Sequence, residues 1–218
     1  MKNFTFKNRF AFTMIELVFV IVVLGILAAL ALPRMERDLR QEAADSILSD
    51  IRYTQHLAMN DFKHNTANAM WQRSFWMIGF ACNDTTTFKE FIGSDSDYGG
   101  GIGANEAAID PANGRGMDSG VGVCNNTIAN TISDRILLYD KFSVKSVATV
   151  GGCGAVQYIG FDHLGRPHVG YTGSNAPDYN SYMTLACTFN FTMENGDTFG
   201  ISIQPETGFA QIVGQPNS

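Results

Sequence analysis

The sequence lacks the short motifs that mark the common classes of enzyme. It contains no Gly-x-Gly-x-x-Gly fingerprint, no phosphate-loop lysine motif, no Gly-x-Ser-x-Gly nucleophile turn and no His-Glu-x-x-His zinc motif. We therefore predict that the protein is not an enzyme and that it binds no cofactor. Its four histidines are interpreted as exposed polar residues at a helix end and a turn; they are His56, His64, His163 and His168.

Positive charge is scarce. The chain has 15 Lys+Arg against 21 Asp+Glu, and its formal net charge is −6. Lys2, Lys7 and Arg9 precede the first acidic residue, and no lysine or arginine follows Arg166. Removing those three N-terminal charges from the net −6 leaves −9. A chain of this charge binds polyanions poorly, so we do not expect nucleic acid as a partner.

The sequence has no Cys-x-x-Cys pair, which makes zinc the weaker interpretation of its four cysteines. All four lie beyond an apolar N-terminal segment, so they share one compartment if that segment crosses a membrane. An oxidising compartment favours two disulfides. Three pairings are possible and the sequence alone does not select one. Our hypothesis is the sequential pairing, Cys82 with Cys124 and Cys153 with Cys187.

Charged residues are missing from residues 17–32, where every residue is apolar or glycine. Residues 1–10 are basic and contain no acidic group, and Arg34 follows the apolar run. Roughly twenty apolar residues cross the ~30 Å hydrocarbon core of a bilayer as a helix. We therefore predict a transmembrane segment over about residues 12–32. Because basic residues stay on the cytoplasmic side, the C-terminal part is expected to be exported.

Glu16 places a carboxylate inside this apolar stretch. A cleaved secretory signal is the alternative interpretation, because small residues at positions 28, 29 and 31 resemble a cleavage site. A charge within a membrane helix costs about 2.5–3.5 kcal/mol, however, and a discarded leader has no use for it. The helical spacing also continues, which predicts one helix over residues 12–62 with an amphipathic second half. Its apolar positions are Ala44, Ile47, Leu48, Ile51, Ala58 and Phe62.

Residues 11–17, Ala-Phe-Thr-Met-Ile-Glu-Leu, lead into a long apolar helix that contains Gly25 and Pro33. This pattern resembles the N-terminal signature of type IV pilins and type II secretion pseudopilins. The resemblance implies that a prepilin peptidase cuts between Ala11 and Phe12, removes residues 1–11 as a leader and methylates the new amine of Phe12. The family usually has glycine where this chain has Ala11, although alanine is also small.

The resemblance places Glu16 at the fifth position of the mature chain. A carboxylate in a dry helical bundle needs a cation or a donor, so we predict that Glu16 pairs with the amine of Phe12 in a neighbouring subunit. That pairing would set the axial register of the assembly. Pro33 removes a backbone donor and Gly25 is a second weak point, so we predict kinks or local loosening of the helix at both positions.

Beyond residue 62, short apolar and aromatic runs are separated by glycine and asparagine, which is typical of an antiparallel β domain. We predict an α+β fold in which the helix packs on the antiparallel sheet of a head, residues 63–218. The aromatic residues at 71–80 are assigned to the core. Asn195-Gly196 predicts a two-residue hairpin turn. The candidate strands are residues 74–81, 135–139, 156–161, 183–191, 198–203 and 209–213.

Residues 93–122 are rich in glycine, aspartate and asparagine and predict a long, solvated surface loop. Calcium binding is the alternative interpretation, although the loop lacks EF-hand spacing. Its candidate ligands are Asp95, Asp97, Asp110 and Asp118. Three short runs of the head, at residues 71–80, 158–167 and 201–208, are similar to H-type pseudopilins and FimT-type minor pilins.

The leading hypothesis is a structural, minor subunit of a type IV pilus or a type II secretion pseudopilus. It would sit in the inner membrane with a periplasmic head and then polymerise into a filament. Its partners would be other pilin or pseudopilin subunits, the prepilin peptidase and the inner-membrane assembly platform. One alternative is a filament-tip module that binds DNA or another ligand; the absence of lysine and arginine after Arg166 disfavours DNA. Another is a membrane-tethered periplasmic enzyme.

Overall fold

The computed structural model describes residues 13–118, 120, 124 and 129–215, without the side chains of residues 31–38. The chain divides into two units, Met1–Leu39 and Arg40–Ser218. The first helix, α1, extends over Met14–Asn60. The predicted helix over residues 12–62 is therefore present over Met14–Asn60, and the described residues after it form the head.

The second half of α1 is amphipathic and supplies one wall of the core of the head. Ala43, Ala44, Ile47, Leu48 and Ile51 are each 3% exposed or less. Their spacing of three and four residues places them on one face of a helix, which is why this stretch is helical and buried on one side only.

The sequence analysis placed Phe62 on this apolar face of the helix, and that prediction was wrong. The helix ends at Asn60, and the Phe62 side chain, two residues beyond, is 64% exposed. A spacing of three and four residues places side chains on one face only within a helix, so it does not predict burial beyond Asn60.

Among its described residues the head contains two antiparallel four-stranded sheets and one further short α-helix, which confirms the α+β prediction. The strands are β1 Trp76–Ala81, β2 Lys89–Gly93, β3 Val144–Gly151, β4 Tyr158–Phe161, β5 Pro167–His168, β6 Cys187–Met193, β7 Thr198–Ile203 and β8 Ala210–Ile212. One sheet has the order β2-β1-β4-β5, and the other has the order β3-β6-β7-β8.

Buried aromatic side chains join the two sheets. Phe80 of β1 contacts Phe189 and Phe191 of β6, with ring centroids 5.4 and 5.0 Å apart. Buried residues alternate with half-buried ones along β6, as expected for a strand with one face in the core. The same hydrophobic cluster takes in Ile47 and Ile51 of α1. The core of the head therefore lies between α1 and both sheets.

The hairpin between β6 and β7 differs in detail from its prediction. The Met193 N–H donates to the Asp197 carbonyl at 2.8 Å, and the Gly196 N–H donates to the Met193 carbonyl at 3.0 Å. The loop therefore has three residues rather than two. Gly196 takes a φ of +88°, the left-handed conformation that closes a three-residue hairpin, so the Asn-Gly pair marked the turn correctly but not its length.

The predicted strand at residues 135–139 is wrong. A 3-10 helix covers Asp134–Ile136, and helix α2 covers Leu138–Phe142. The Ser133 hydroxyl accepts the Arg135 backbone N–H at 3.3 Å, a capping contact that starts a helical turn. The periodicity of a short apolar run does not distinguish a strand from a buried helix. The capping residue Ser133 was the local signal that favoured the helical turn.

The head is closed by two disulfides, Cys82–Cys124 and Cys153–Cys187. This is the sequential pairing that we hypothesised from the sequence. Cys153 and Cys187 are both buried, and Cys187 is the first residue of the central strand β6. The bridge therefore ties the turn after β3 to the sheet.

Replacing both Cys153 and Cys187 with alanine is expected to lower the free energy of unfolding of the head by about 2–5 kcal/mol, because the unfolded chain regains the entropy of an open loop. Urea unfolding of the full-length chain in detergent, followed by near-UV circular dichroism, measures the change. Wild-type protein treated with a reductant is the matched control and should shift in the same direction. An unchanged unfolding midpoint in the double variant would contradict a stabilising role.

Candidate functional site

The first candidate site lies at the start of α1, around Glu16. Its Oε2 accepts the backbone N–H and the hydroxyl of Thr13, each at 2.8 Å, and the Glu16 N–H donates to the Thr13 hydroxyl at 3.3 Å. A threonine followed three residues later by a glutamate, with reciprocal hydrogen bonds, is a capping box. In the single chain Glu16 therefore caps the N-terminus of its own helix. Ala11 and Phe12, the predicted cleavage and methylation positions, lie outside the described residues.

Sequence reasoning missed Thr13, although the Thr-x-x-Glu spacing signals it. The capping box does not replace the predicted intersubunit pairing, because Glu16 remains exposed in the single chain and a carboxylate has lone pairs for further donors. The pairing with a neighbouring Phe12 amine stays a prediction.

Residues 14–30 of α1 present apolar side chains on every side. Between Met14 and Leu30, each large apolar side chain is 36% exposed or more. A helix that is apolar all round is typical of a segment that packs in a larger bundle or in lipid. A Cβ on Gly25 would meet nothing within 4 Å. Pro33 lies within α1, but its side chain is outside the described residues, and the kinks at Gly25 and Pro33 stay predictions.

Among the helices of the described residues, none is both long and apolar enough to cross a membrane. The predicted span over residues 12–32 includes Phe12 and the side chains of residues 31 and 32, which the structure does not describe.

The second candidate site is the acidic segment after β2. The structure brings Asp95 and Asp97 together with Glu106, with one carboxylate oxygen of each within 4.8 Å of the others. Asp110 and Asp118, the other two residues of the predicted calcium set, are buried elsewhere. The four aspartates therefore do not form one site.

The Glu106 carboxylate accepts three backbone hydrogen bonds from this segment. Its Oε1 accepts the N–H groups of Ser96 and Asp97 at 2.6 and 2.9 Å, and its Oε2 accepts the Gly103 N–H at 2.8 Å. Burial is the largest influence on Asp95 and raises the pKa of its carboxyl. These hydrogen bonds from Glu106 hold the backbone of residues 96–103 in place.

The expectation of a solvated loop over residues 93–122 is wrong in part. Ile102, Ala108 and Met117 are each 6% exposed or less and pack in the hydrophobic clusters of the head. The described part of the segment is irregular, with isolated bridges such as Ile109 to Gly116. Its apolar residues recur without the period of a helix or strand, so they gave no signal of burial in the sequence.

A third cluster, of buried carboxyl groups, connects α1 to the head. Asp50 on α1 is 1% exposed, and Glu90 on β2 is fully buried. Arg135 donates to Asp50 through Nη2 at 2.6 Å and lies 3.7 Å from Asp110 through Nη1. Asp110 also accepts the Ser133 hydroxyl at 2.6 Å. One guanidinium thus faces three carboxyl groups, two of which it contacts.

Burial is the main reason that both carboxyl groups of this pair have raised pKa values. It raises the pKa of Asp50 to about 6, against the opposing effects of Glu90 and Arg135. Burial also raises the pKa of Glu90 well above its usual value, and the nearby Asp50 carboxylate adds to the shift. Among the described residues, neither Glu90 oxygen has a hydrogen-bond partner and Asp50 Oδ2 has none either, so ionising both carboxyl groups is more costly than keeping a proton on one of them.

The fourth candidate site is a cleft in the head beside β4 and β5. Its volume is about 380 Å³, within the range of small-ligand sites. The lining side chains are His64, Trp71, Gln72, Phe75, Asp162, His163, Arg166, His168, Tyr179 and Tyr182.

The interpretation of all four histidines as exposed is wrong for His168. This residue lies on β5 and is 6% exposed, and its Nδ1 lies 3.0 Å from the Ser181 hydroxyl. His56 and His64 are exposed, and His163 is half-buried. A two-residue strand that inserts a histidine into the sheet leaves no pattern in the sequence.

Asp162 and Arg166 form the polar floor of the cleft. Asp162 Oδ1 accepts the backbone N–H groups of Leu164 and Arg166, and its Oδ2 accepts the Nε and Nη2 groups of Arg166 at 2.7 Å each. Burial would raise the pKa of this carboxyl, but the nearby His168 ring, the Arg166 guanidinium and the backbone donors hold it well below its usual value. Asp162 is therefore a fixed negative charge paired with a fixed positive one.

One comparison with known proteins gives a match. A family model described as the prokaryotic N-terminal methylation motif covers residues 6–32, the segment that contains the predicted cleavage position and Glu16. No curated protein and no solved structure matches the chain. The N-terminus therefore carries a pilin-type methylation motif, and the likeness of the head to H-type pseudopilins or FimT-type pilins is not confirmed.

Proposed function

We propose, from the methylation motif at residues 6–32, that this protein is a filament subunit, of a type IV pilus or a type II secretion pseudopilus. In this proposal the prepilin peptidase removes residues 1–11 and methylates the amine of Phe12. The mature chain then assembles through α1, and its role is structural rather than enzymatic. The motif is the observation that carries the proposal.

The geometry of α1 supports assembly as its role. Residues 14–30 of α1 expose apolar side chains in every direction, so this stretch is stable only in lipid or among other helices. Its acidic residue, Glu16, stands four positions after Phe12 and remains exposed in the single chain. A buried unpaired charge is strongly unfavourable, so a bundle of such helices favours arrangements that bring a cation to Glu16.

The head supports export. Two disulfides close it, and disulfides persist in oxidising compartments such as the periplasm. We further propose that the protein is a minor subunit with an H-type or FimT-type head, anchored in the inner membrane before assembly. Its partners in this proposal are other pilin or pseudopilin subunits, the prepilin peptidase and the assembly platform.

Mass spectrometry of the protein isolated from its native membranes is expected to show a mature N-terminus at Phe12 that carries one methyl group. The peptidase selects a small residue before the cut, so Ala11→Glu should leave residues 1–11 attached. Ala11→Gly is the matched control and should be processed at least as completely as the wild type. Native protein that begins at Met1, or at a residue beyond Ala31, would overturn the proposal.

A further inference from the structure

We propose that the acidic cluster of Asp95, Asp97 and Glu106 binds one divalent cation, and that its ligands select calcium. The site lies wholly in the head, so the inference goes beyond the proposed assembly function, which uses α1. It rests on two independent observations. One is the close approach of three carboxylates, and the other is a buried carboxylate oxygen of Asp95 without a partner.

The three carboxylates are close enough to share one ion. One oxygen of each lies within 4.8 Å of the others. Calcium–oxygen distances are about 2.3–2.6 Å, so two oxygens on opposite sides of one calcium ion are about 5 Å apart. Three oxygens at the observed separations can therefore contact a single ion. Carboxylate oxygens suit calcium, magnesium and manganese rather than the softer metals.

Asp95 provides the second observation, because its carboxylate is buried and incompletely satisfied. The residue is 2% exposed, and its Oδ2 accepts the Gly100 N–H at 3.0 Å. Among the described residues, its Oδ1 has no hydrogen-bond partner. The Asp95 oxygen of the cluster lies beside the oxygens of Asp97 and Glu106, so this buried carboxylate faces two further acids. Buried charges in proteins are paired or coordinate metals.

Other buried acids of the head are paired with an arginine. Arg135 lies 2.6 Å from Asp50, and Arg166 lies 2.7 Å from Asp162. In the part of the chain that the structure describes, no lysine, arginine or histidine forms an ion pair with any carboxylate of the acidic cluster. The protein therefore gathers three acidic groups without a cation of its own, and a bound ion supplies the missing positive charge.

The backbone positions the ligands and leaves them lone pairs. Asp97 Oδ1 accepts the Gly99 N–H at 2.7 Å, and Glu106 Oε2 accepts the Gly103 N–H at 2.8 Å. An ionised carboxylate has about four lone-pair sites, so each oxygen still has capacity for a cation.

The exposure of the ligands favours calcium over magnesium. Asp97 is exposed and Glu106 is half-buried, so an ion enters from their side and retains water ligands there, while Asp95 closes the inner side. Calcium accepts about 6–8 oxygen ligands in a flexible arrangement, and an irregular segment provides such a set. Magnesium requires near-ideal octahedral geometry and loses its water reluctantly.

The experiment uses the full-length chain in detergent, stripped with EDTA and then dialysed free of the chelator. Calcium chloride is titrated by isothermal calorimetry, and melting curves are recorded by near-UV circular dichroism with and without calcium. We expect one saturable site with a dissociation constant of about 10⁻⁴–10⁻³ M, the range of extracellular calcium modules. Calcium at about 10 mM should then raise the melting temperature of the head by about 3–10 °C.

Asp95→Asn and Asp97→Asn are the test variants. Asparagine keeps an acceptor for the Gly100 or Gly99 N–H and removes one negative charge from the ion. Each variant is expected to weaken calcium binding by at least about tenfold, because affinity follows the number of charged ligands. Asp197→Asn is the matched control: it makes the same substitution at an exposed position beside the β6–β7 loop and should keep the wild-type dissociation constant.

Three results would overturn the proposal. The first is the absence of saturable calcium binding up to about 10 mM, where a site of the expected affinity is nearly filled. The second is wild-type affinity in Asp97→Asn, whose exposed side chain does not support the fold. The third is equal stabilisation by magnesium chloride or by sodium chloride of the same ionic strength, which would indicate screening of the acidic cluster rather than coordination. Processing at Phe12 and filament assembly are measured separately, so failure here leaves the proposed function intact.

Discussion

Replacing Glu16 with leucine is expected to remove the protein from filaments while leaving its processing at Phe12 intact. Under the proposed pairing, the variant leaves a neighbouring N-terminal amine buried without its carboxylate, at a cost of roughly 3–5 kcal/mol. At about 1.4 kcal/mol per factor of ten, the fraction incorporated should fall by at least a hundredfold. Immunoblots of sheared filaments and of the membrane fraction measure both pools.

The capping box makes Glu16→Gln the more discriminating variant. Glutamine keeps a side-chain acceptor for the Thr13 N–H and hydroxyl but carries no charge. If charge pairing drives incorporation, Glu16→Gln should fail almost as completely as Glu16→Leu. Thr13→Ala is the matched control, because it weakens the cap and preserves the carboxylate, and it should assemble nearly normally. Normal incorporation of Glu16→Gln would refute the pairing and leave Glu16 as a cap alone.

The head is expected to lose stability as the pH rises from 4.5 to 8. The cause is the buried carboxyl pair of Asp50 and Glu90. In the unfolded chain Asp50 titrates at about 3.9, whereas in the folded head burial raises its pKa to about 6. Between these values the folded state holds a proton that the unfolded state has released, so increasing pH favours unfolding.

The sign and window of this effect follow from the raised pKa values. The stabilisation is complete below the unfolded pKa and is lost as the pH passes the folded one. A shift of about two pKa units corresponds to about 3 kcal/mol from Asp50 alone, and the raised pKa of Glu90 extends the loss to higher pH. Asp162 has a lowered pKa and loses its stabilising contribution only on the acid side, whereas Asp95, whose pKa burial also raises, adds to the loss with the same sign as the pair.

Glu90→Gln is the variant that tests this account. The amide cannot ionise and can donate a hydrogen bond to Asp50, so the melting temperature at pH 8 should rise and its slope between pH 4.5 and 8 should flatten. Glu194→Gln makes the same substitution at an exposed position of the β6–β7 loop and should retain the wild-type slope. Melting curves of the full-length chain from near-UV circular dichroism give both quantities. A wild-type slope in Glu90→Gln would show that the pair does not titrate in this range.

Local pattern determined a large part of this protein. The apolar run with one glutamate identified the methylation motif, and the three- and four-residue spacing located the buried face of α1 from Ala44 to Ile51. The strand at Thr198–Ile203 was confirmed residue for residue, because alternation and a preceding Asn-Gly turn specify it locally. These features depend on residues within one helix turn or one hairpin, and such residues are close together in the sequence.

Tertiary structure alone decided which distant groups meet. Asp50, Glu90 and Arg135 come from α1, β2 and a 3-10 helix. No local spacing in the sequence predicts that they form one buried cluster. The same is true of His168, which a two-residue strand carries inside, and of Glu106, which replaces Asp110 and Asp118 in the acidic cluster. Burial and charge pairing across long sequence separations are set by the packing of α1 against two sheets, and that packing is a property of the whole head.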